Sequence, residues 1–81
     1  MDNVVTFTDG NRFVAVDVNT VHKFNMKKVA DFWSICIWQQ IGQTAFAVSD
    51  EDTAKKIQTF IIYGNPFIKI HEMPFKVQFP F

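Results

Sequence analysis

From Val4 to Thr8 the chain alternates β-branched and aromatic residues, and the same β-rich pattern resumes from Phe13 to Val18. Between the two runs, Asp9-Gly10-Asn11 supplies residues that tolerate positive φ, so the segment reads as a β-hairpin. In its second strand Val14, Val16 and Val18 share one face with Arg12, while Phe13, Ala15 and Asp17 share the other. Both faces are largely apolar, which predicts a strand covered on each side.

Asn19-Thr20 suits either the end of that run or the cap of a short turn, and Val21-His22-Lys23-Phe24 fits either an extended segment or one helical turn. Asn25-Met26-Lys27-Lys28 reads as an exposed connection. Aromatic and β-branched residues dominate Phe32 to Trp38, which predicts a third strand with Phe32, Ser34, Cys36 and Trp38 on one face. The alternative is a helix from Lys27 to Gln40, with a stripe of Val29, Phe32, Trp33 and Cys36. Gln39 to Gln43, containing Gly42, turns the chain into a fourth strand, Thr44 to Val48.

Helical periodicity follows. Ser49 is placed to cap a helix of residues 50–63, the acidic run Asp50-Glu51-Asp52 suits the positive end of its dipole, and Gly64 suits a left-handed C-terminal residue. Ala54, Ile57, Phe60 and Ile61 form the apolar stripe, and Glu51–Lys55 and Asp52–Lys56 are pairs four residues apart. Beyond Asn65-Pro66, Phe67 to Ile70 predicts another strand. After a break at Glu72-Met73-Pro74, Phe75, Val77, Phe79 and Phe81 alternate with Lys76, Gln78 and Pro80 as a half-buried strand. The expected fold class is α+β: an antiparallel sheet of about four to six strands, built from two hairpins and C-terminal strands, with one helix on one face.

The length of 81 residues fits one domain spanning 1–81, since a chain this short cannot divide its apolar surface between two cores. Ten Phe, two Trp and one Tyr supply that core without metal or disulfide. Eight basic and eight acidic side chains cancel, which removes any global attraction to nucleic acid or membrane. Cys36 is the single cysteine, so no disulfide can form within the chain and a reducing, cytoplasmic setting is expected. Met1-Asp2-Asn3 does not open a secretory signal, and no apolar stretch approaches the ~20 residues of a membrane span.

Candidate chemistry is sparse. The sequence contains no nucleophile elbow, no zinc-protease helix motif and no P-loop. Cys36, amid Ile35, Ile37 and Trp38, is expected to be a small buried hydrophobe, and His22 and His71 lie too far apart in sequence to imply one metal. No catalytic residue, cofactor or metal is therefore expected. A non-enzymatic protein-interaction module is the preferred reading, a regulatory or inhibitory protein of phage or mobile-element type, with another protein or a second copy of itself as partner. Its anchors would be Trp33, Trp38, Tyr63, Phe75, Phe79 and Phe81, because aromatic side chains dominate binding hot spots. Pro80, lacking an N–H, fits an edge strand open to such pairing. The alternative is a single-stranded nucleic-acid-binding protein using His22, Lys23, Phe24, Lys27 and Lys28, where cations interleave with an aromatic.

Overall fold

A computed structural model describes residues 4–63 and 74–80. Strands β1 (Val4–Thr8) and β2 (Phe13–Asp17) form the first hairpin, and a 3-10 turn, Val18–Thr20, leads into β3 (Val21–Val29). Strands β4 (Phe32–Gln39) and β5 (Gly42–Val48) follow, then the helix α1 (Glu51–Tyr63) and the short strand β6 (Phe75–Lys76). The predicted strand at Phe67 to Ile70 and the Gly64 cap lie outside the described residues.

The described residues form two three-stranded sheets, with orders β2-β1-β6 and β3-β4-β5. The C-terminal segment joins them. On one side it runs parallel to β1, pairing Phe7 with Phe75 and Thr8 with Lys76, and the Val77 N–H donates to the Thr8 carbonyl at 2.9 Å. On the other, Gln78 and Ala47 of β5 exchange two backbone hydrogen bonds of 2.8 Å. Alternation along the segment then carries Val77 into the core, with Phe75 and Phe79 packed against it.

One buried cluster draws on both sheets and the helix. Val5, Phe7 and Val16 come from the first hairpin, Ile35, Ile37, Phe46 and Val48 from β4 and β5, and Ala54, Ile57, Phe60 and Ile61 from α1. The Phe7 and Phe46 rings, one from each sheet, lie 4.4 Å apart, and Phe75 and Phe79 flank them at 6.0 and 6.3 Å. The stripe read from the helix sequence is therefore the stripe that is buried. A sheet packed against one helix matches the expected α+β class, and the six strands of the described residues divide between two sheets, one antiparallel and one mixed because β6 runs parallel to β1.

Three local expectations are corrected. The segment 25–28 is not a connection but the second half of β3, which pairs with β4 from Lys23↔Trp38 to Val29↔Phe32 and excludes the helical alternative for residues 27–40. A two-residue turn, Ala30-Asp31, closes that hairpin with Ala30 at φ 55, a left-handed conformation that disfavours a side-chain-bearing residue. Strand β2 is covered on one face alone: Val16 is buried, whereas Phe13, 68% exposed, Ala15 and Asp17 point to solvent. The exposure of all three shows that nothing among the described residues packs on the second face.

The helix cap moves by one residue. Asp50, not Ser49, accepts the Thr53 amide at 3.0 Å and the Thr53 hydroxyl at 2.7 Å, and its carbonyl receives the first helical bond from Ala54. The Thr53 hydroxyl and amide hold the Asp50 carboxyl below its ordinary value of 3.8. A carboxylate with a lowered folded-state pKa stabilises the fold above its ordinary value, and that stability is lost as pH falls through the lowered pKa. Asp50→Ala is expected to lower the denaturant midpoint, while Ser49→Ala leaves it unchanged within error. Asp50→Asn retains a capping oxygen but loses the acid-side pH dependence, and an equal effect of Ser49→Ala would disprove the assignment. Asp9 plays a similar part in the first hairpin, where the Arg12 and Asn11 amides both donate to it at 2.8 Å and lower its pKa.

Candidate binding surface

The helix and the first hairpin cover one face of β3-β4-β5, and strand alternation directs every second residue to the other face. Across the register, Lys23 pairs with Trp38, Asn25 with Cys36, Lys27 with Ser34 and Val29 with Phe32, which places these eight side chains on the outer face. Strand β5 adds Gln43, Ala45 and Ala47 beside Trp38, Cys36 and Ser34. The inner positions, Ile35, Ile37 and Phe46, are buried, confirming which face is which.

The outer face has a defined relief. Ser34, Cys36, Ala45 and Ala47 make a floor of small side chains along its middle, and Trp38 and Phe32 stand at opposite ends of β4. Phe32 is 42% exposed. Beside it a hollow of ≈ 300 Å³ is lined by Val29, Phe32, Ser34, Ala47 and Gln78, and a second of ≈ 260 Å³ lies on the other side of Gln78 towards Phe79 and Pro80.

Charge on this face has one sign. Lys23 and Lys27 are exposed on β3, and no strand position of the face is acidic. The Lys23 ammonium rests over the Trp38 ring at 4.8 Å, close enough for a cation–π contact. Lys28 belongs to the opposite face, where its ammonium lies 5.9 Å from the Trp33 ring.

The structure thus separates residues that the sequence pattern grouped. Of the cationic set, Lys23 and Lys27 share the outer face, Lys28 does not, Phe24 packs against the core, and exposed His22 sits where the β3–β4 register shifts. Of the aromatic set, Trp38 lies on the outer face, whereas Trp33, Phe75 and Phe79 pack against the core. Tyr63 is 77% exposed at the distant end of the helix, and Phe81 lies outside the described residues. Cys36 is half-buried on the outer face rather than enclosed, because its neighbours Ile35 and Ile37 take the inward positions. Two further residues escaped sequence reasoning. Alternation gives Phe32 a strand position without a role, and Ile41 is 92% exposed at the Gln40-Ile41 turn. A large apolar residue next to Gly42 in a loop was the available signal for Ile41.

Among the described residues no three His, Cys, Asp or Glu side chains gather as a metal site, and no helix is long and apolar enough to cross a membrane. Comparison with family models, with curated proteins and with solved structures returns no match.

Proposed function

We propose that this protein is a non-catalytic binding module and that it binds through the outer face of β3-β4-β5. The observation that carries this reading is the Trp38 and Phe32 pair standing above a floor of Ser34, Cys36, Ala45 and Ala47. Small side chains let a flat partner approach the sheet, and aromatic rings at the two ends supply area at low conformational cost. Of the C-terminal aromatics, Phe75 and Phe79 pack against the core between the sheets, which leaves the outer face as the better candidate. Asp9 and Asp50, whose carboxyls are lowered, are each accounted for by a turn or a helix cap. A macromolecular partner in the cytoplasm of the producing cell or of a host cell fits such a face. The same-sign charge of Lys23 and Lys27 favours a ligand carrying negative charge.

Site-specific cross-linking tests the surface without presuming the partner. A photoreactive amino acid at position 45, on the floor, is expected to trap a ligand in the producing cell, while the same group at exposed Ala15 on β2 traps none. Substituting Trp38 by Ala should sharply reduce the adducts at position 45. Adducts that form undiminished in that variant, or that form equally at position 15, would refute the assignment of the face.

A further inference from the structure

We infer that the ligand of this face is a single-stranded nucleic acid, an assignment that rests on the binding-module reading and adds its chemical class. Single strands are held by cations along the backbone and by aromatic rings on which bases stack, largely irrespective of sequence. Both elements occur here on one surface. Lys23 and Lys27 lie four residues apart on β3, about 13 Å along an extended strand. Trp38 and Phe32 are their neighbours across the ladder, paired with Lys23 and with Val29 beside Lys27.

The same register orders the groups. The cations line the β3 edge and the rings lie one strand inward, so a backbone running along β3 would turn its bases over β4. The small residues Ser34, Cys36 and Ala45 leave room for flat bases against the sheet. At the Phe32 end, Gln78 borders the ≈ 300 Å³ hollow with an amide able both to donate and to accept. The Lys23–Trp38 contact is the free-state arrangement: a phosphate drawing the ammonium away uncovers the ring for stacking. An acidic protein would meet the two lysines as well, but would leave a pair of separated rings above a small-residue floor without a matching set of planar groups.

Net charge of zero makes the interaction local, and among the described residues the strands of this face offer two lysines for backbone contacts. Two phosphate contacts on a single strand give a slope of about −1.4 for log affinity against log salt, so raising salt four-fold weakens binding roughly seven-fold.

Fluorescence anisotropy of labelled oligo-dT, about 15 nucleotides long, tests the inference with the intact chain. Binding is expected in the micromolar range at about 50 mM salt, with a matching DNA duplex bound more weakly. Lys23→Ala and Lys27→Ala should each lower affinity and reduce the slope by about 0.7, whereas Lys28→Ala, on the other face, changes neither. Trp38→Ala should weaken binding about ten-fold, and Trp38→Phe, which retains a stacking ring and controls for folding, should restore most of it. Cys36, on the floor, should be shielded from alkylation by the oligonucleotide. Absence of saturation below about 100 μM at that salt overturns the inference, as does an effect of Lys28→Ala equal to that of Lys27→Ala. If position 45 cross-links to protein while oligo-dT does not bind, the nucleic-acid assignment fails and the binding face stands. If neither occurs, both fall.

Discussion

Deleting residues 75–81 is expected to abolish cooperative unfolding at room temperature. The segment supplies buried Val77 and half-buried Phe75 and Phe79, and full burial of such side chains is worth about 1.5–3 kcal/mol each. It also closes the gap between β1 and β5, so its removal leaves the Thr8 carbonyl and both backbone groups of Ala47 without their partners. Each of these backbone hydrogen bonds, exchanged for one to water, costs about 0.5–1.5 kcal/mol. The sum is comparable with the 5–15 kcal/mol that holds a small domain together. A shorter deletion, residues 79–81, spares Val77 and the Gln78–Ala47 pair but loses the edge-to-face contact of Phe79 with Phe46 and the stacking of Arg12 on Phe79 at 5.0 Å. It should lower the denaturant midpoint while leaving a cooperative transition. Since the strand pairs within its own chain, the midpoint of the intact protein should not vary with protein concentration. A midpoint that rises with concentration would mean that a second copy supplies the strand.

Phe7→Ala is expected to cost about 3–5 kcal/mol, and Phe13→Ala, six residues later in the same hairpin, less than about 0.5 kcal/mol. Phe7 is fully buried where the two sheets meet, against Phe46 and Phe75, and its loss leaves a cavity that neither sheet can fill without breaking the ladder it shares with the C-terminal segment. Phe13 sits on the open face of β2. Urea titration at unchanged slope gives both values. Similar costs for the two would show that β2 is covered on both faces in solution, as its sequence pattern alone implies.

That contrast marks the boundary between local pattern and tertiary structure. The hairpin of β1 and β2, the strands β4 and β5, and the buried stripe of α1 follow from their own residues, because alternation and helical spacing record which side of an element meets an apolar neighbour. Asp50 took the cap from Ser49 within one residue, a choice set by which side chain reaches the Thr53 amide. Strand β3 was not legible: Asn25, Lys27 and Lys28 carry no apolar alternation strong enough to separate a strand from a loop, and the segment is extended because β4 pairs with it along its length. Once it is a strand, Lys27 and Lys28 must point to opposite faces, so the division of one basic cluster into an outer pair and an inner lysine was fixed by the pairing and not by the residues. The C-terminal aromatics show the same limit from the other side. Their alternation announced a buried face, but whether another chain or this one covers it depends on contacts between segments about seventy residues apart, Phe7 with Phe75 and Thr8 with Lys76, which no local period encodes.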